Sequence, residues 1–462
     1  MAGQQANVQQ RVEAALATAP AGTRFGLVVT DEAGREIVAI NPDQRFMPAS
    51  NTKIVTTAAA YATLPAIDSP DRDGGAVVRR AGEDIVLIGR GDARLSSAPD
   101  CVANCLSQLA DAIAKRHRHV RHVIGDDTRF PDERWSAGMS WNNIPTRSGT
   151  AISALTLDDN EARVEVTAGT PGQPPAITAL GYYTMLNELV TVPAGGTTRI
   201  DYHRLPLERR IRLSGTIAAD AKPQVLALGI DDPAHYAAWR LAALLRERGV
   251  KVGEVQVRHR PWLKLADEPT SPLQLAPEPE VGEEIARLTP PPLAEDVRTI
   301  NKVSQNLHAE LLLRRVALKD GSGSVAFGIH AVEAMFAEAG VPRTAWDLSD
   351  GSGMSSYNLI APRGMVTLLR WIAARPWGAA WRESLPVGGI DGTLARRFKG
   401  TALEGKVFAK TGSLNQTNAL AGYLIARSGK TLTFAAFAND VPGDVSATAQ
   451  IDAALLAVAA GS

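Results

Sequence analysis

The amino-acid sequence predicts an α+β protein whose first and last thirds pack together as one layered unit, with the middle of the chain organised separately. The N-terminal end supplies the first reason. An amphipathic helix over about residues 5 to 18 leads into two short strand patterns, Phe25 to Thr30 and Glu36 to Ile40, joined by the turn Asp31-Glu32-Ala33-Gly34. The C-terminal end supplies the second. Strand patterns at Lys406 to Lys410, Ala419 to Ala426 and Thr431 to Phe437 precede a helix over about Ser446 to Ala460, and Arg427-Ser428-Gly429 turns the last two strands back on each other. The third is the middle, where short strands, turns and isolated helices alternate from about residue 72 to 288. One helix there is well marked: it follows Pro233 and carries Tyr236, Trp239, Leu241, Leu244 and Leu245 on its apolar side. The Pro-rich stretch from Pro269 to Pro292 reads as the exit from this region, and no repeat of fixed period is present.

Composition narrows the function classes. The 462 residues are enough for about three domains, and 45% hydrophobic with 21% charged residues suits a globular protein with cores of its own. Lys+Arg 49 against Asp+Glu 49 gives no basic excess, which argues against a nucleic-acid partner because phosphate binding draws on a surplus of cations. No apolar run is long enough for a membrane-spanning helix, so any membrane contact is expected to be peripheral. The opening Met1-Ala2-Gly3-Gln4-Gln5 has no basic segment followed by an apolar one, so no signal peptide is expected within this sequence. Cys101 and Cys105 stand close enough to form a small disulfide in an oxidising compartment. With His117 and His122 they also approach a zinc-finger spacing. The intervening Leu106, Leu109, Ala112 and Ile113 form a helical core stripe, however, and favour a structural reading without metal.

Three short motifs carry chemistry. In Pro48-Ala49-Ser50-Asn51-Thr52-Lys53, a Pro48-started helix to about Leu64 puts Ser50 and Lys53 on one face, three residues apart. A serine hydroxyl is a weak nucleophile until a base takes its proton, and a lysine serves as that base once burial lowers its pKa. A helix N-terminus also aims N–H groups at a developing oxyanion. The second motif is Ser304-Gln305-Asn306, ahead of an amphipathic helix through Glu310 to Arg315. The third is Lys410-Thr411-Gly412-Ser413 at the end of a strand. There an edge can pair with a peptide backbone while the cation and hydroxyls hold a carboxylate, with Gly412 leaving room for the ligand. Each motif alone is common. Together and in this order they are the signature of serine β-lactamases and penicillin-binding proteins.

The flanking residues sharpen the match. They include Asn301-Lys302-Val303 before Ser304, Ala309-Glu310, Asp350-Gly351-Ser352-Gly353 with Tyr357-Asn358, Leu385-Pro386-Val387-Gly388-Gly389 through Leu394, and Ala409 to Leu414. With these, the chain resembles the low-molecular-mass class C penicillin-binding proteins of type 4, the D-Ala-D-Ala carboxypeptidase/endopeptidase family. The resemblance implies a transpeptidase-like domain, an antiparallel sheet flanked by helices, from residues 1–71 and 289–462. It also implies two mostly β inserted domains, one from 72–160 and 262–288 and a nested one from 161–261. In the implied mechanism Ser50 is the nucleophile and Lys53 its base, and Ser304 and Lys410 relay a proton to the leaving D-alanine. Asn306 binds the substrate amide and positions Lys53, while Thr411, Gly412, Ser413 and Leu414 bind substrate. No cofactor or metal is implied. Peptidoglycan stem peptides and acylating β-lactams are the implied partners, and the periplasm the implied location.

One motif of the related β-lactamases and one of the family itself are missing. The Glu-x-x-Leu-Asn motif of class A β-lactamases has no counterpart, since its nearest candidate, Leu186-Asn187, has Tyr183 in place of the acid. The Trp-x-Trp-acid segment that receives a free side-chain amine in the family is represented by Met139-Ser140-Trp141-Asn142-Asn143, which has no acid. A β-lactamase or esterase of the same fold and a non-catalytic peptidoglycan-binding protein are the alternative readings. Among the remaining residues, His308 is expected to be structural, Ser352 to line the cleft from a tight loop, and Arg90-Gly91-Asp92 to form a turn. Lys302 is read as a solvated helix charge or an electrostatic aid.

Overall fold

In the computed structural model, which describes residues 2–273 and 282–462, the strand Arg24–Thr30 is apolar on both faces and lies inside a sheet. Its period of two sends Leu27 and Val29 to one side and Val28 to the other. It pairs antiparallel with Thr431–Asn439 and with Glu36–Ile40, and Thr417–Ile425 and then Val407–Leu414 extend the sheet to five strands. The helices Ala2–Leu16 and Thr448–Gly461 cover one face, with Val12 and Leu455 over Leu27, Leu420 and Phe434. The other face carries Thr52–Thr63, Asn306–Ala317 and Pro362–Ala373, packed on Val28, Ala421, Ala435 and Phe437. Each terminal element expected from the sequence is present, with its ends displaced by a few residues.

The expected Pro48 helix begins differently. Ala49–Asn51 is a separate 3-10 turn ahead of the Thr52–Thr63 helix, and Ala49 sits at φ 47, in the left-handed region. Ser50 therefore stands on a strained turn and not inside a regular helix. Thr52–Thr63 is buried around most of its circumference, including Lys53, because helices and sheet enclose it.

The middle of the chain forms a second assembly. A five-stranded sheet runs in the order Lys251–Arg258, His119–Asp126, Asp84–Ile88, Val77–Ala81, Glu283–Arg287, with parallel pairs on one side and antiparallel pairs on the other. Two three-stranded sheets, drawn from Glu161–Gly229, share its apolar core. Two elements of the segment 161–261 pack on the larger sheet. The helix Pro233–Glu247 lies on the larger sheet, and Lys251–Arg258 is the edge strand of that sheet, parallel to His119–Asp126. The reason is the helix's wide apolar side, where Tyr236, Ala237, Leu241 and Leu245 meet the same core as Leu109, Ile113, Val120 and Val123. With Leu106–Arg116 also packed there, two helices cover the larger sheet. Part of the Pro-rich exit, 274–281, lies outside the described residues.

The chain leaves the first unit and returns to it at neighbouring points. Pro70 bridges Pro292, and Asp71 N–H donates to Pro290 O at 3.0 Å. The Asp71 carboxylate, itself buried, accepts two hydrogen bonds from Arg315 at 2.6 and 2.8 Å. Cys101 and Cys105 are joined in a disulfide just ahead of the helix Leu106–Arg116, while His117 ends that helix and His122 bonds Asp84. Among the described residues no helix is long and apolar enough to cross a membrane.

Removing Arg315 leaves a buried carboxylate without its partner, which costs about 3–5 kcal/mol. Arg315→Met should therefore lower the urea midpoint of unfolding by a corresponding margin, and an unchanged midpoint would contradict this account of the crossing point.

Candidate active site

Period two on the strand Val407–Leu414 sets the floor of the site. Val407 and Ala409 face the layer of terminal helices, so Lys410 and Gly412 face Thr52–Thr63 and the Ser50 turn. Lys410 Nζ donates to Ser304 Oγ at 2.8 Å and to Thr411 O at 2.9 Å. Asn51 Nδ2 donates to Lys410 O at 2.9 Å, tying the turn to the strand. Ser304 sits between the helices Leu293–Lys302 and Asn306–Ala317 at φ 63, a second non-glycine residue in left-handed conformation beside the cleft.

Lys53 is fully buried, and its Nζ meets Ser50 Oγ at 2.9 Å, Asn306 Oδ1 at 2.6 Å and Ser352 O at 2.5 Å. Asn306 is held in turn by its Nδ2, which donates to Ser148 O at 3.0 Å. Burial pushes Lys53 down to about 7, against the opposing pull of the Asp350 and Glu310 carboxylates. Burial, reinforced by the nearby Lys53 charge, also holds Lys410 well below an ordinary lysine. Ser50, Lys53, Ser304, Asn306 and Lys410 thus gather in one cleft, as the motifs require.

The strand edge divides in two. Ala409 N–H donates to Pro386 O, and Gly388 N–H to Val407 O, closing the edge that far. Lys406 O accepts from Ile425 on the neighbouring strand, so even-numbered residues bond inward and odd-numbered ones point their backbone outward. Thr411 and Ser413 therefore present peptide groups at the edge beyond residue 409, and the Thr411 hydroxyl bonds Thr393 Oγ1 at 2.7 Å. Leu414 ends the strand, half-buried. A Cβ at Gly412 would lie 2.5 Å from Pro48 O, so the glycine admits the protein's own Ser50 turn.

The inserted region forms one wall. The Ser355 hydroxyl donates to Ala137 O at 2.5 Å, and Ser356 N–H to Gly138 O at 3.1 Å. The 3-10 turn Trp141–Asn143 lies on that wall, packed beside Arg147–Gly149 and the contact of Ser148 with Asn306. His308 is structural in this arrangement: its Nε2 lies 2.8 Å from Asp159 and its Nδ1 3.2 Å from Asp296. Burial favours its neutral form, but the two carboxylates outweigh that and raise it to about 9. Lys302 is paired with Asp391 at 2.5 Å, and Asp391 also accepts Val387 N–H, so this ion pair braces the 386–391 loop. Arg90-Gly91-Asp92 bends at Gly91, and Asp92 bridges Leu155 and lies buried against Asn104. Tyr183 and Asn187 lie in the nested region, Asn187 bonding Pro175 O. Sequence reasoning missed Asn51 and Ser148, whose contacts depend on backbone carbonyls that leave no motif.

The fold and this cleft define a penicillin-binding type of serine peptidase. The crystal structure of penicillin binding protein 4 (dacB) from Haemophilus influenzae has the same fold, with a TM-score of 0.79 at 22% identity over 96% of this chain and 97% of that one. The chain belongs to the D-Ala-D-Ala carboxypeptidase 3 (S13) family, whose pattern matches residues 8–460. Its relatives include a D-alanyl-D-alanine carboxypeptidase of Actinomadura sp. (strain R39), 33% identical across 88% of this chain and 76% of that protein. The D-alanyl-D-alanine carboxypeptidase DacB of Haemophilus influenzae is 25% identical across 91% and 86%. Membership bears out the resemblance read from the motifs.

Gly353 has φ 87, and a Cβ there would fall 1.9 Å from Ala49 O. Gly353→Ala must displace the Ser50 turn, so its reaction rate with penicillin should drop by about 100-fold. Stopped-flow acylation of folded protein measures this, and a wild-type rate would contradict the close approach.

Proposed function

We propose that this enzyme hydrolyses D-alanyl-D-alanine-type bonds of peptidoglycan stem peptides and cross-links through an acyl-enzyme on Ser50. The observation that carries the proposal is the set of oxygens around Lys53. Asn306 Oδ1 and Ser352 O can only accept hydrogen bonds, whereas the Ser50 hydroxyl can donate. A neutral Lys53 amine must spend its two N–H bonds on the two carbonyl oxygens, which turns its lone pair toward Ser50. The amine then takes the hydroxyl proton as Ser50 Oγ attacks the carbonyl carbon of the penultimate D-alanine. The N–H groups of Ser50 and Ser413 receive the oxyanion, each such donor contributing about 10²- to 10³-fold. Thr411 and Ser413 hold the terminal carboxylate, with the substrate lying as an added strand along the open edge. Ser304, bonded to Lys410, passes a proton to the departing amine as the C–N bond breaks. Water then attacks the ester, releasing the shortened peptide and restoring Ser50.

A β-lactam enters the same path, but its leaving nitrogen stays tethered in the acyl-enzyme. With no Glu-x-x-Leu-Asn base, the ester hydrolyses slowly and the drug inhibits. An extracytoplasmic, periplasmic setting fits this substrate and the Cys101–Cys105 disulfide.

Intact-protein mass spectrometry after benzylpenicillin treatment should find a single stable adduct on the wild type and none on Ser50→Ala. Labelling of Ser50→Ala would sink the assignment, and rapid turnover of a chromogenic cephalosporin without a lasting adduct would favour the β-lactamase reading. The acylation rate should also depend on pH. The reactive form of Lys53 is the neutral amine, and its pKa is about 7, so the rate rises as pH increases through 7 and levels off above it. A profile flat from pH 5.5 to 9, a span of about 3.5 units that brackets that pKa, would exclude Lys53 as the base.

A further inference from the structure

Ser352 O is one of the two carbonyl oxygens that orient Lys53, and it belongs to a glycine-flanked loop whose Gly351 O accepts from Thr56 Oγ1 at 2.7 Å. The N–H groups of residues 351 and 352 are held from the neighbouring helix Asn306–Ala317. The buried Glu310 accepts Gly351 N–H at 3.1 Å and Ser352 N–H at 2.9 Å on one carboxylate oxygen. Its other oxygen accepts Arg314 Nη1 at 2.8 Å, and Arg314 is itself buried and bonded to Glu133 O. Asp350 holds the far side of the loop through Gly353 N–H, Ser355 N–H and Asn358.

Resting on the reading of Ser50 and Lys53 above, we propose that Glu310 is a positioning residue for catalysis: it clamps the 351–352 peptide so that Ser352 O meets Lys53 and directs its lone pair at Ser50. Two consequences separate this role from simple support of the fold. The first is geometric, since a slack loop lets the neutral amine turn its lone pair away from Ser50. The second is electrostatic. The charged groups that bear on Lys53 are Glu310 from this helix, Asp350 from the loop and Lys410 from the strand edge. Glu310 favours the ammonium form, so removing its charge makes Lys53 lose its proton at lower pH.

Two variants divide the effects. Glu310→Asp keeps the charge but withdraws the carboxylate from the loop. Glu310→Gln combined with Arg314→Met keeps an acceptor and length while leaving no lone charge buried. Benzylpenicillin acylation is followed from pH 5.5 to 9, per mole of protein that finally takes up adduct, with thermal unfolding as the check on folding. Glu310→Asp should acylate about 10- to 100-fold more slowly at every pH, with the rise still near that of wild type. The double variant should show the rise moved to lower pH and a smaller loss on the plateau. The proposal is overturned if Glu310→Asp stays within about 3-fold of wild type, a loss smaller than misplacement of a catalytic group produces, or if the double variant's rise does not move. Should wild type itself take no adduct on Ser50, the fault lies with the earlier reading and not with this one.

Discussion

A lysine amine buried beside a serine hydroxyl is the constraint to which the rest of this cleft answers. Water would keep Lys53 charged and useless as a base, and burial alone would strand an unpaired group at high cost. The structure resolves this with neutral and charged neighbours in balance. The oxygens of Ser50, Asn306 and Ser352 satisfy the N–H bonds, while Asp350 and Glu310 stand far enough back to soften the desolvation without restoring an ordinary lysine. Lys410, within the reach of the same field, is pushed down as well, so the two lysines are not both charged with ease. Two neighbouring amines that burial makes readier to lose a proton can hand protons on in both directions.

The inserted region takes part in that balance. Asn306 points its oxygen at Lys53 because its amide nitrogen is captured by Ser148 O, a backbone atom of the inserted segment. Two residues further along the same helix, His308 carries its charge between Asp159 of the insertion and Asp296 of the preceding helix. Loss of either contact would loosen the seam on which the second motif sits. The insertion is thus part of the support of the catalytic helix as well as a wall of the cleft.

Much of this could be read from the residues, for reasons that differ from place to place. The sheet was legible because Phe25 to Thr30 and Thr431 to Phe437 are continuous apolar runs bounded by turn residues, a pattern that depends on local order alone. The cleft was legible because Ser50 and Lys53 are neighbours in sequence, and because Ser304, Asn306 and Lys410 stand in motifs of recognisable order. The 3-10 turn at Ala49 escaped notice, since a positive φ at an alanine is imposed by its tertiary setting, here the approach of Gly353 and Gly412. The placement of Pro233–Glu247 also escaped, because periodicity names the apolar side of a helix but not the sheet it will cover. The approach of Pro48 O to Gly412 joins atoms far apart in sequence and leaves no local pattern.

The central strand Arg24–Thr30 takes its main partner, Thr431–Asn439, from the other end of the chain. Contacts of such long sequence separation form late, after more local units have closed. The inserted assembly, contiguous apart from its ends, can acquire its core while this strand is still waiting. A nascent polypeptide therefore carries Ser50 from early in synthesis, yet gains the lysine edge and the sheet beneath it only as the final stretch emerges. Chain order itself thus makes the cleft around Ser50, Lys53 and Lys410 one of the last parts of the molecule to be assembled.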